Sequence, residues 1–291
     1  MHLLFQQIVS GLAAGGLYAL MTLGLVIIFR ATRVANFGHG EMAMLSTFVA
    51  YFLFTTLRLP MAFAVIGAVF FSIALGISME RLAVRPLLKG PMASVLMSTL
   101  AIYIIVHESA FHIWGGDLYV FPAFFSEKPV KVFNLVVSQE HIGIIGVSFG
   151  LMLVLFFLFQ HTKAGLAMRA MAQDRTVAVL LGVRLRRMYP LTWALGAGLG
   201  AITGILFAPV ISLYVDYMEV FIIKAFIVMV LGGLDSFAGV VIAGLALGVM
   251  ENIIAGYVSS EFRDALSLIL VILVMLIRPA GLLGTAEIQK V

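Results

Sequence analysis

Residues 8–29 run for 22 positions without a charged side chain, and nearly charge-free stretches recur at 42–57, 61–79, 92–111, 142–160, 191–213, 222–234 with 239–257, and 265–277. A helix that crosses a bilayer needs roughly 20 predominantly apolar residues. The runs are continuous rather than alternating, which excludes a barrel of period-two strands. In lipid every backbone polar group must be satisfied within its own segment, which leaves helices. The chain therefore reads as all-α, a polytopic transmembrane helical bundle of about eight or nine membrane segments, some of them broken. Composition agrees: 63% of the 291 residues are hydrophobic and 11% charged, against about a quarter charged in a soluble domain. Residues 1–291 form a single membrane domain with little room for a soluble catalytic one, and with no cysteine, thiolate metal sites, disulfides and cysteine nucleophiles are excluded.

The net charge of +4 is informative through its placement. If successive loops alternate sides, one side receives thirteen of the 18 Lys and Arg residues: Arg30 and Arg33; Arg81, Arg85 and Lys89; Lys163, Arg169, Arg175, Arg184, Arg186 and Arg187; Arg278 and Lys290. The other receives Arg58, Lys128, Lys131, Lys224 and Arg263. The richer side is expected to be cytoplasmic, with the N-terminus outside, the C-terminus inside, the loop 112–141 outside and the loop 161–190 inside. Either 222–234 crosses and Asp235–Ser236 turns on the inner side, or 222–257 is a broken, partly re-entrant unit. The first segment has no preceding Lys or Arg and too long an apolar core for a secretory signal, so it is expected to be retained.

Small residues at helical spacing, Gly11 and Gly15, Gly196, Gly200 and Gly204, Gly244 and Gly248, predict close helix packing in lipid. The Gly196–Gly204 run superficially resembles a dinucleotide loop, but it lies inside an apolar run with no preceding strand.

Three stretches carry polar chemistry. In the longest inner loop, Gly165 to Gln173 is rich in helix formers and Asp174 is placed to cap a second short helix, Arg175 to Leu181, which Gly182 ends. Two short helices result, carrying Arg169, Gln173 and Arg175 beside small apolar residues such as Ala170. They serve either as an interfacial anchor or as a docking surface for a soluble partner. Next, Asn36, His39 and Glu41 sit between Arg33 and an apolar run, with Gly38 and Gly40 breaking helical continuity. They form either a capped inner loop or a broken helix lining a cavity. A metal held by His39 and Glu41 lacks a third ligand. Glu251, finally, is a lone carboxylate inside 239–257 that lines a path, pairs with a basic group or caps a break. His107 and Glu108 read as residues of a helix end near headgroups.

Gly146-Val-Ser148-Phe-Gly150 matches the serine-hydrolase pattern, but that motif works on a sharp strand-to-helix turn and here lies in an apolar run. A secondary carrier or channel is the other alternative, for which few intramembrane charge pairs are in view.

Arg169-Ala170, Gln173-Asp174, Ala178 and Leu181-Gly182-Val183, together with Asn36-Phe-Gly-His39-Gly-Glu41 and Gly232-Gly-Leu-Asp235-Ser236 with Gly239, Gly244, Gly248 and Glu251, resemble the permeases of branched-chain amino-acid ABC transporters over almost the whole length. The short uncharged N-terminus and short C-terminal region resemble the H-type (LIV-I type) subunit. Asp235 departs from the glycine common in that pattern. The resemblance implies an ABC-transporter transmembrane domain with its coupling loop at about 161–190. It implies a bacterial inner-membrane permease that translocates leucine, isoleucine and valine by ATP-driven alternating access and performs no covalent chemistry. Its partners would be a second, M-type permease, two cytoplasmic ATPases and a periplasmic binding protein; relatives of the same pattern serve urea, short amides and aromatic acids. Gly165, Arg169, Ala170, Gln173, Asp174, Arg175 and Gly182 would couple to the ATPase, and Asn36, His39, Glu41 and Glu251 are candidates for the translocation pathway. No phosphate-binding Gly-x-x-x-x-Gly-Lys-[Ser/Thr] loop occurs, so ATP and Mg are expected on partner subunits, with no cofactor, metal or nucleic acid bound here.

Overall fold

The computed structural model describes residues 2–125, 129–132, 135–260, 262–278 and 280–284; Lys128 and Lys290, two of the cations counted for orientation, lie outside the described residues. The helices are α1 (His2–Thr32), α2 (His39–Thr55), α3 (Met61–Met79), α4 (Met92–Trp114), α5 (Gln139–His161), α6 (Lys163–Gln173), α7 (Arg175–Leu180), α8 (Leu185–Ile211), α9 (Glu219–Gly232), α10 (Phe237–Tyr257) and α11 (Phe262–Ile277). A hairpin of β1 (Pro129–Val132) and β2 (Leu135–Ser138) pairs Val130 with Val137. Among the described residues, six helices are long and apolar enough to cross a membrane: Leu3–Thr32, Met61–Leu87, Met92–Trp114, Gln139–His161, Leu185–Ile211 and Phe237–Tyr257. The other apolar stretches fold as the shorter α2, α9 and α11, of 17, 14 and 16 residues. At 1.5 Å per residue α9 is about 21 Å long, short of a hydrocarbon core of about 30 Å.

The chain divides into two compact units, Met1–Val26 with Ala123–Val154 and Ile223–Val291, and Ile27–Pro122 with Leu155–Ile222. In the first, the paired glycines of α1 and α10 meet. A Cβ on Gly11 would stand 2.6 Å from Val249 Cα, one on Gly15 2.6 Å from the Gly244 carbonyl, and one on Gly248 would overlap the Gly15 backbone. Without a hydrophobic force between helices in lipid, such backbone contact supplies the attraction. Between α9 and α10 the chain turns at Gly233 (φ +108°). Ser236 Oγ accepts from Gly239 N at 3.0 Å to cap α10, while the N–H groups of Leu282 and Leu283 donate to the Leu231 and Gly232 carbonyls that the end of α9 leaves open. Asp235 is half-buried in this turn.

The second unit packs α3 and α8 through a line of small residues. Ala64, Ala68, Ser72 and Gly76 are buried at four-residue spacing, and a Cβ on Gly76 would lie 2.7 Å from Ala197 Cβ. Ser72 donates to the Ala197 carbonyl at 2.8 Å. Around this seam Ile28, Met42, Val84, Val95, Ile102, Val106 and Trp193 form an apolar core. One expectation is corrected: the chain breaks at residues 33–38, and Gly40 lies inside α2. There it brings the helix against Ile222, 3.1 Å from its would-be Cβ; lacking a side chain, it serves packing rather than a break.

Candidate functional site

The loop singled out in the sequence folds as the pair α6 and α7. Thr162 caps α6 by accepting from Gly165 N at 3.0 Å. Gly165 is the residue that lets α6 turn back on α5, since a side chain there would overlap the Leu158 and Phe159 carbonyls. Arg169 reaches back to the same place and donates to Gln160 Oε1 at 2.6 Å. Asp174 Oδ1 accepts from Thr176 N and Val177 N at 2.7 and 3.0 Å, the N-cap geometry that satisfies two orphan donors of α7. Gly182 ends the pair at φ +88°, donating to Val179 O, with Val183 N on Ala178 O. One side of the pair is seated: Met171 and Ala178 pack on Ala31 at the end of α1, with Ala170 beside them. The opposite side is open and apolar, with Leu166, Val177, Val179, Leu180 and Leu181 exposed beside exposed Gln173 and half-buried Arg175.

In the second unit the segment 33–38 delivers Asn36, His39 and Glu41 to different tasks. Asn36 Oδ1 accepts from Gly38 N at 3.1 Å, so it shapes the turn into α2. His39 is fully buried, its ring against α8 where a Cβ on Gly200 would be 3.3 Å from Nε2. Neither of its ring nitrogens has a hydrogen-bond partner among the described residues. Glu41, also buried, lies 3.3 Å from His107 Nδ1. The other ring nitrogen of His107 is 3.5 Å from Asp216, and Tyr103 donates to Glu219 at 2.7 Å. Ligand atoms of His107, Asp216 and Glu219 lie within 4.8 Å of one another, a loose set beside the spacing of about 3 Å between neighbouring ligands of a metal bound at about 2.1 Å. His107 read from sequence as a helix-end residue, and its pairing with a carboxylate 66 positions away has no signature in spacing. The four-residue step from Tyr103 to His107 was the available signal for one polar face of α4.

In the first unit Glu251 is fully buried and meets donors from three other helices. Tyr18 donates to it at 2.9 Å, Lys224 at 3.0 Å, Arg263 Nε at 3.1 Å, and Ser267 Oγ completes the set. Arg263 also donates to the Tyr18 hydroxyl at 3.1 Å. Sequence reasoning left Lys224, Arg263, Tyr18 and Ser267 outside the site because each looks like an isolated polar residue on an apolar helix. Ser148 of the hydrolase-like motif lies inside α5 with its Cβ against Gly16, far from the strained turn that such a nucleophile needs.

Six apolar helices, glycine seams and buried ion clusters define a multi-pass membrane protein. The chain belongs to the family described as branched-chain amino acid transport system / permease component, whose sequence profile matches residues 7–276. It is 33% identical to the high-affinity branched-chain amino acid transport system permease protein LivH of Salmonella typhimurium, 32% to LivH of Escherichia coli K12 and 31% to BraD of Pseudomonas aeruginosa. Each alignment covers 98% of this chain and 97% of the relative.

Proposed function

We propose that this chain is a permease subunit of a binding-protein-dependent ABC importer of the bacterial inner membrane, carrying leucine, isoleucine and valine inward by alternating access. The observation that carries the mechanism is the α6–α7 pair. Its seated side rests on Met171, Ala178 and Ala31, and its open side offers exposed leucines and valines, the arrangement of a short rigid lever entering a groove on a soluble partner. Two cytoplasmic ATPases holding ATP and Mg are that partner in this reading. A second, M-type permease completes the path and a periplasmic binding protein supplies cargo. The N-terminus lies outside and the C-terminus inside, as the basic-residue count favours. The cargo is inferred from the LivH and BraD relatives, which are branched-chain amino acid transport permeases.

The test is reconstitution with those partners in proteoliposomes. ATP-dependent leucine uptake that requires the binding protein is the expected result, and Arg169→Glu should abolish ATPase docking while membrane insertion stays normal. Docking and uptake at wild-type level in Arg169→Glu overturn the lever, and uptake without ATP favours a secondary carrier. Exclusive binding of urea, an amide or an aromatic acid by the cognate binding protein moves the cargo to that class and leaves the lever standing.

A further inference from the structure

The junction between α6 and α7, and the first turn of α8 that follows the pair, each leave a backbone carbonyl without its helical donor, and an arginine at the end of a different membrane span reaches each. At the junction, Ala172 is in the last turn of α6, where the final four carbonyls have no intrahelical partner. Arg33 Nη2 donates to Ala172 O at 2.6 Å, placing a cation at the negative end of the α6 dipole. Beyond the pair, Pro190 lies inside α8. Proline has no N–H, so the carbonyl four residues earlier, that of Arg186, loses its donor. Arg85 Nη2 stands 3.4 Å from Arg186 O.

Each arginine is itself held where the membrane helices end. Arg33 follows α1 in the left-handed region, φ +58°, a conformation that non-glycine residues keep only when their surroundings impose it. It joins Ala31, which seats the pair, to Asn36 and the start of α2. Arg85 is bonded in a fork to Glu80, with Nε to Oε1 at 2.9 Å and Nη2 to Oε2 at 2.6 Å. Glu80 is fully buried and continues the small-residue line of α3 by one more step of four. It opens the π-helical stretch Glu80–Val84, a local departure from α geometry that often marks a functional site.

We propose that Arg33 and Arg85 are positioning residues that strap the α6–α7 junction and the start of α8, the helix that leaves the pair, to the membrane helices, so that displacement of the pair is handed to α1–α2 through Arg33 and to α3 through the Glu80–Arg85 fork. This rests on the coupling role given above to α6–α7. Neither arginine touches cargo or nucleotide; each acts through a carbonyl.

The test uses the full transporter in proteoliposomes with Arg33→Gly and Arg85→Lys. Glycine accepts the φ of residue 33 without strain, and lysine leaves a cation beside Glu80 while removing the fork, so both variants keep their local fold. The readout is the ratio of binding-protein-stimulated to basal ATPase rate, measured alongside transport and the amount of assembled complex. In each variant assembly and basal ATPase should match wild type, while the ratio and transport fall by at least about fivefold, the lower end of usual coupling between sites. A ratio within about twofold of wild type in either variant overturns the proposal, as does a loss confined to assembly yield. Absence of stimulated ATPase in wild type counts against the importer reading itself.

Discussion

Lys224 donates to Glu251 at 3.0 Å where both side chains are almost entirely enclosed. The carboxylate, carried by α10, is the shared acceptor of donors from α1, α9 and α11, so removing it takes from Lys224 and Arg263 the anion they share. Breaking a buried pair from one side costs about 3–5 kcal/mol, whereas an apolar replacement of both partners is often near neutral. Glu251→Met should therefore destabilise strongly, and Lys224→Met alone less, because Arg263 still pairs with the carboxylate. The Glu251→Met/Lys224→Met double variant should recover part of the loss, short of full recovery because Arg263 still faces the position. Denaturation of detergent-solubilised protein in a double-mutant cycle measures this, and strictly additive losses would refute the shared-acceptor account.

Gly248 and Gly198 should respond in opposite ways to a single methyl group. Gly248→Ala places its Cβ on the Gly15 backbone, where nothing can yield without separating two helices, so a loss of about 1–3 kcal/mol follows. Gly198→Ala meets Ile73 at an ordinary 3.6 Å, and the gain in helix propensity, up to about 1 kcal/mol, should appear as a higher melting temperature.

The short helix α7 depends on its two ends. Asp174→Ala removes the acceptor of two N–H groups at a cost of about 1 kcal/mol, and Gly182→Ala forces a methyl-bearing residue to φ +88° at roughly 1–2 kcal/mol. Hydrogen exchange should quicken over residues 175–181 in both variants, and the rest of the protein should exchange as before.

His107 sits between Glu41 and Asp216. Glutamine in its place keeps a donor for the buried Glu41 carboxylate and leucine does not. His107→Leu should lower thermal stability well below that of His107→Gln, by about 1–3 kcal/mol for one unsatisfied buried group. Equal melting temperatures would mean that the imidazole does not support Glu41.

Ser148→Ala should leave transport unchanged and stability equal or higher. The hydroxyl is buried without a hydrogen-bond partner among the described residues, and exchanging it for hydrogen removes an unsatisfied group.

Local signals made the helices and the α6–α7 pair legible. Continuous apolar runs announce membrane helices, Asp174 sits where a cap belongs, and Gly182 where a left-handed residue belongs. The glycines at 11, 15, 244 and 248 were visible as faces, though not that α1 and α10 supply each other's partner. The ion clusters were legible only as single residues. Glu251, Lys224, Arg263 and Tyr18 are brought together by packing across the chain, and no spacing records that Arg33 meets Ala172 or that Arg85 meets Arg186. The line Ala64, Ala68, Ser72, Gly76 and Glu80 was present in the sequence at one four-residue step. It escaped notice because alanine and serine are inconspicuous where glycine draws attention.

The seam between α1 and α10 also bears on how the protein is made. Gly11 and Gly248 stand 237 positions apart, and their contact is backbone on backbone. Synthesis places α1 in the bilayer long before α10 exists, so during that interval its glycine face has no partner and is covered only by lipid. Pairings between segments so distant in sequence form late and expose the chain to misassembly. A helix made well before α10 thus waits for it to find this neighbour, and substitutions along Gly11 and Gly15 should show first as degradation of newly made chains rather than as a slower finished protein.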